Sequence, residues 1–195
     1  MDVRNAIICD SWTNGARADV KLAKLPQYPN KVIVKSFRKG TLIFFINEVV
    51  TLSYLRNIGV TPRILGLNLG KKILILEYME GERLLEWVLR KCSRQSVDLK
   101  DYRNIHGIDT NPVIGAAFSV FQKSKDPEIT YVKNEIQKCY RKIHRRKISQ
   151  GDVRPRNLIC RSGSVAAIDF DLALPMARPA DRDNVLLMRW YGICM

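Results

Sequence analysis

Asp152 and Asn157 stand five residues apart in the string Gln150-Gly151-Asp152-Val153-Arg154-Pro155-Arg156-Asn157, and a second acidic string, Ala167-Ile168-Asp169-Phe170-Asp171, follows. Ser162-Gly163 lies between them as a turn signal, so the chain can fold back and deliver Asp169 beside the first loop. Carboxylate and carboxamide oxygens are the donors that a hard cation such as magnesium prefers. The chemistry that uses such a set is phosphoryl transfer from ATP. It needs a carboxylate to receive or orient the attacking hydroxyl, oxygen ligands that hold magnesium on the phosphates, and positive charge near the transferred group. In that assignment Asp152 is the carboxylate at the hydroxyl, and Asn157 and Asp169 are the metal ligands.

The elements that must position these residues are legible in outline. Residues 2–10 and 17–25 read as extended segments about the turn Thr13-Asn14-Gly15. Residues 31–37 (KVIVKSF) alternate and are rich in β-branched types, which predicts a strand. Residues 42–58 are long enough for a helix that Gly59 and Pro62 terminate. Residues 63–69 and 71–78 read as a hairpin about Gly70. Past Gly81 the pattern turns helical: 84–91, then 131–146 with Ile136, Tyr140 and Ile143 on one face, and 182–191 at the end. Residues 93–130 are polar and irregular, with no assignment. Asp183 falls at the start of the last helix, where its carboxylate would cap backbone of the Asp152 loop from beneath.

Together the strings resemble a protein kinase: Asp152 to Asn157 is similar to the catalytic loop, and Ile168-Asp169-Phe170 to the metal-binding D-F-G element. Val32-Ile33-Val34-Lys35 is similar to the V-A-I-K strand, which makes Lys35 a phosphate-holding lysine and Glu48, thirteen residues on, its ion-pair partner. Glu77-Tyr78-Met79 resembles the hinge, with backbone near Glu77 and Met79 contacting adenine and Leu76 as gatekeeper. Arg154 lies where many protein kinases carry a lysine that approaches the transferred phosphate. The resemblance implies an α+β, two-lobed protein-kinase-like fold in one domain, with a small strand-rich N-lobe (1–79) and a truncated helical C-lobe (80–195).

Departures from the usual pattern narrow the resemblance. No G-x-G-x-x-G follows the first strand. Only Gly15 stands there, in a fragment similar to the reduced nucleotide loop of Bud-type and RIO-type atypical kinases, which would leave ATP dependent on Gly15 and Arg17. H-R-D has become Gln150-Gly151-Asp152, and the lost arginine implies no phosphate switch in the activation segment. The small size, the Q-G-D loop and the D-F-D string look most like the HopBF group, minimal type III secreted effector kinases of plant-associated bacteria. That resemblance implies an ATP- and Mg-dependent serine/threonine kinase that acts in the host cytoplasm on the ninety-kilodalton heat-shock chaperone. Recognition of that substrate would come from residues 171–183 or 93–130. Two alternatives share the motifs: a small-molecule or lipopolysaccharide-type kinase, and a pseudokinase-like basic binding module.

Bulk properties exclude more than they select. The 195 residues suit one compact unit or two small lobes. No window approaches the roughly 20 apolar residues of a membrane span, and the first ten residues do not read as a secretory signal. Five scattered cysteines with no CxxC pair disfavour a disulfide framework or zinc site and fit a reducing cytoplasm. The net charge of +14 favours anionic partners in general. Its densest run, residues 141–147, has no interleaved aromatics and reads as a solvated helix face in preference to a nucleic-acid patch.

Overall fold

The computed structural model describes residues 7–14, 17–93, 111–175 and 180–195, with backbone alone for 10–14, 175, 180 and 181. Its main sheet is antiparallel and five-stranded: β1 (Ile7–Asn14), β2 (Ala18–Lys24), β3 (Val32–Phe37), β4 (Ile64–Asn68) and β5 (Ile73–Glu77), in the spatial order β1-β2-β3-β5-β4. Period-two alternation decides what each face of β3 carries. Val32 and Val34 point into a small apolar cluster with Ala23, Leu25 and Ile75. Lys35 and Phe37 take the opposite face, where the helix that follows must lie. The sequence places the first strand at residues 2–10, yet pairing continues at Ser11, Thr13 and Asn14, with Cys9 and Trp12 skipped at two irregularities of register. The bulged register absorbs residues that the Asn-Gly signal had assigned to a turn; Gly15 itself lies outside the described residues.

Helix α1 (Leu42–Tyr54) ends four residues earlier than the pattern predicted. Leu55 closes it, and left-handed Asn57 and Gly59 (φ 71 and 74) turn the chain toward β4. Phe45, Glu48 and Leu52, at three- and four-residue spacing, are its buried face. β4 and β5 form the expected hairpin.

Beyond β5 the chain builds β6 (Glu82–Arg83), α2 (Leu84–Cys92), α3 (Pro112–Lys123), α4 (Pro127–Arg145), β7 (Ile148–Ser149), β8 (Leu158–Arg161), β9 (Ser164–Ala167), β10 (Leu174–Pro175) and α5 (Ala180–Tyr191). Two of these correct the sequence reading. α3 lies wholly within the stretch left unassigned, and α4 starts four residues before the expected 131. Both carry an overlooked start signal: Asn111-Pro112 and Asp126-Pro127. The Asn111 side chain accepts from the N–H groups of Val113 and Ile114, and Asp126 does the same for Glu128 and Ile129, while proline fills the first helical position. Behind Asn111, residues Ile114, Ala117, Phe118 and Phe121 repeat at helical spacing and are all buried.

One apolar core joins the two halves of the chain. It runs from Phe37, Phe45 and Leu52 through Leu84 and Ile136 to Phe170 and Tyr191. A backbone bond from the Ala167 N–H to the Val60 carbonyl (2.8 Å) ties β9 to the segment after α1. Among the described residues, no helix is long and apolar enough to cross a membrane.

Candidate active site

β3 and α1 meet across a single charged contact. Lys35 is 7% exposed and Glu48 1%, and Lys35 Nζ donates to Glu48 Oε2 at 2.6 Å. The same ammonium donates to Asp169 Oδ1 at 2.7 Å. Residues 13 and 134 positions away from Lys35 thus converge on one cation. Two buried charges are tolerated only when paired, because desolvation of either alone costs several kcal/mol.

One positive charge serves two carboxylates, and their titration diverges. Burial by itself lowers the Lys35 pKa, but Asp169 and Glu48 outweigh it and hold the ammonium above the usual lysine value. Burial pushes Glu48 up to about 7, with Lys35 pulling the other way and Asp169 adding to the rise. Burial also acts to raise Asp169, yet Lys35, with help from Arg156 and Arg17, holds it below the ordinary aspartate range. Asp169 is therefore the carboxylate kept ionised, the state a hard cation requires. Its backbone is left-handed (φ 64), a conformation uncommon outside glycine and least costly for Asp and Asn.

The loop between β7 and β8 holds the second group. Asn157 Nδ2 donates to the Asp152 carbonyl at 2.9 Å and to Asp152 Oδ2 at 3.0 Å. Arg154 Nε lies 2.8 Å from Asp152 Oδ1, so both carboxylate oxygens face donors. With its NH2 group committed to Asp152, the Asn157 amide turns its oxygen the other way. The Ile168 N–H donates to the Asn157 carbonyl at 2.9 Å, continuing the ladder that pairs Leu158 with Ala167. β8 and β9 thereby set Asn157 across from the residue before Asp169.

Three residues outside the sequence-derived set fix this arrangement. Gln150 is fully buried; its amide nitrogen donates to the Ile168 carbonyl and its oxygen accepts from the Tyr140 hydroxyl. It ties the Asp152 loop to the strand that carries Asp169. Asn47, beside Glu48 on α1, donates to the carbonyls of Asp171 (2.9 Å) and Ala173 (2.7 Å). Gly151 has φ 79, and a Cβ there would sit 2.2 Å from the Leu172 carbonyl oxygen. The glycine at this position is therefore a packing requirement. Nothing in the sequence singles out Gln150 or Asn47 for these roles.

Asp183 does what its position suggested. Its carboxylate is fully buried and accepts from the N–H groups of Gln150 (2.9 Å) and Gly151 (3.1 Å), from Ser149 Oγ (2.6 Å) and from His144 Nε2 (3.0 Å). The remaining expected residues are placed as follows. Arg17 stacks on Phe44 (4.5 Å) and pairs with Asp171 at 3.2 Å, so its charge lies at the far end of the Asp169 turn. The Glu77 N–H donates to the Arg63 carbonyl (2.9 Å) and its carboxylate bridges to the Arg63 side chain (3.0 Å), which leaves that N–H committed within the sheet. The Met79 side chain packs with Ile159, Ala166 and Ile168. Gly15 is outside the described residues.

Among the described residues, no cluster of three or more His, Cys, Asp or Glu side chains forms a dedicated metal cage. The Asp169 carboxylate and the Asn157 amide oxygen are of the donor types that a hard cation takes alongside water and phosphate oxygens. No known family model and no curated protein sequence matches this chain.

Proposed function

We propose that this chain is an ATP- and magnesium-dependent phosphotransferase of the protein-kinase type, acting on a serine or threonine hydroxyl. The observation that carries the reading is Lys35 Nζ held between Glu48 at 2.6 Å and Asp169 at 2.7 Å, with Asp169 in turn joined through Ile168 to the Asp152–Asn157 loop. A structural ion pair needs two partners. A cation shared by a buried helix carboxylate and a strained carboxylate that is 36% exposed is suited to handing one partner to a ligand.

On this reading β1–β5 and α1 form the smaller lobe and the helices after β5 the larger one. ATP would lie between them. Ile33, on the Lys35 face of β3, and the Met79–Ile159–Ile168 cluster offer apolar surface to a base. Lys35 meets the phosphates, and α1 holds it there through Glu48. Bound magnesium would offset phosphate charge, with Asn157 and Asp169 as its protein ligands. Asp152, oriented by Asn157 and Arg154, accepts the proton of the attacking hydroxyl. The finer assignment, a secreted kinase acting on a host heat-shock chaperone, is supported by the likeness of the Q-G-D and D-F-D strings to the HopBF group.

Asp169→Asn is the test. Asparagine tolerates φ 64 and keeps a hydrogen-bond acceptor, but it removes the ionised ligand. Transfer of labelled phosphate from ATP to protein in a lysate should fall at least about a thousandfold while the melting temperature shifts by only a few degrees. Undiminished transfer by Asp169→Asn would overturn the reading. The chaperone is scored in the same lysate by mass spectrometry of the phosphorylated proteins.

A further inference from the structure

A cavity of about 300 Å³ opens beside Asp152. Gly151, Asp152 and Arg154 bound it from the loop, and Arg182, Val185 and Trp190 bound it from α5. Its wall is of two kinds. Val185 is 66% exposed and presents an apolar surface, backed by Trp190, which is itself stacked edge-on against Phe118 (5.3 Å). The charged side has two guanidinium groups and one carboxylate. Arg154 is tied to Asp152 at 2.8 Å, whereas Arg182 has no carboxylate within ion-pair distance among the described residues. An accessible arginine of this kind, in a chain of net charge +14, complements an anionic group.

We infer that this cavity is the acceptor site, and that it takes a hydroxyl-bearing peptide segment with an apolar side chain and a carboxylate side chain near the hydroxyl. The inference rests on the phosphotransferase reading above. The carboxylate pairs with Arg182, the apolar side chain covers Val185 and Trp190, and the serine or threonine oxygen meets Asp152. That oxygen forms the new bond to the γ-phosphorus of ATP, the bond from phosphorus to the bridging oxygen breaks, ADP leaves with that electron pair, and the hydroxyl proton passes to Asp152. The volume is at the low end of the roughly 300–1,000 Å³ of small-ligand pockets, which suits one or two side chains of an extended segment. α5 reaches the cavity because Asp183, one residue after Arg182, is locked to the loop backbone through Gln150 and Gly151. The residue that holds the loop in place thus also sets the distance between Asp152 and Arg182.

The test is a peptide library with a fixed serine or threonine and varied neighbours, phosphorylated by the full chain with magnesium and ATP. The wild type should select Asp or Glu together with an apolar residue near the hydroxyl. Arg182→Glu should reverse the charge preference to Lys or Arg and cut kcat/KM on acidic peptides about tenfold. Val185→Asp should raise KM and erase the apolar preference. Both positions are exposed, and a reversed preference is a gained property that misfolding cannot mimic. Unchanged preference and KM in both variants would overturn the acceptor site and leave the kinase reading standing. Phosphorylation of small alcohols or sugars with none of peptides would overturn both the acceptor site and the serine/threonine part of the proposed function, leaving only phosphotransfer from ATP. No transfer by the wild type to any acceptor would remove the phosphotransferase reading, and this inference with it.

Discussion

Lys35 carries one positive charge and faces two carboxylates, so the trio holds a net negative charge when all three are ionised. Glu48 is the deeper of the pair, and burial pushes it up to about 7 from its ordinary 4.5. The folded chain therefore retains a proton on Glu48 that the unfolded chain has released. Stability from this group is greatest below the unfolded value and declines as pH rises from about 4.5 to about 7. Glu48→Gln keeps an acceptor for Lys35 and removes the titration. Its stability relative to the wild type should rise between pH 5 and pH 8, by no more than about 3 kcal/mol, in urea melts at each pH. A pH-independent difference would show that Glu48 ionises alike in the folded and unfolded chain. On the phosphotransferase reading, transfer by the variant should fall most above about pH 7, where the wild-type Glu48 is ionised and holds the lysine more firmly than a neutral amide does.

At the scale of elements, three contacts convert separate pieces into one site. The β8–β9 hairpin sets Asn157 across from Ile168, α1 grips the turn after Asp169 through Asn47, and α5 holds the Asp152 loop through Asp183. The last is the most exacting, since one carboxylate satisfies two backbone N–H groups and a serine hydroxyl that are otherwise buried. Asp183→Ala should cost about 3–5 kcal/mol, because hydrogen bonds to a charged acceptor are worth about 1.5–3 kcal/mol each and the donors would be left without partners. Gly151→Ala tests the same joint from the other side. The left-handed backbone and the 2.2 Å approach to the Leu172 carbonyl should together cost about 2–5 kcal/mol by denaturant melting. Both losses belong to stability, and on the phosphotransferase reading they should lower transfer through the folded fraction and the geometry of Asp152.

Across the whole molecule, the five cysteines report on the fold. All are free; Cys92 and Cys139 are buried, Cys160 is partly buried, and Cys9 and Cys194 are exposed. Burial pushes the thiols of Cys139 and Cys160 up to about 12 and raises that of Cys92, so none of the three offers much thiolate near neutrality. Iodoacetamide on the native chain at pH 8 should add two adducts quickly, at Cys9 and Cys194, with the other three reacting only on unfolding. Fast labelling of Cys139 would contradict the packing of α4 against β9.

Local order in the chain made the pieces of the candidate site legible. The five-residue interval from Asp152 to Asn157, the turn before Asp169 and the alternation around Lys35 are short-range patterns, and each survives in the structure as loop, hairpin and strand. The helices after Asn111 and Asp126 were equally local, written in cap and proline signals that the reading of periodicity passed over. Long-range convergence was of another kind. That Asp169 comes to the same ammonium as Glu48, that Arg17 turns to Asp171, and that Asn47 braces the two halves depend on how the sheet packs over the helices. No interval in the sequence encodes those distances, because a hydrogen bond across 124 or 134 residues is set by the shared core that brings the elements together.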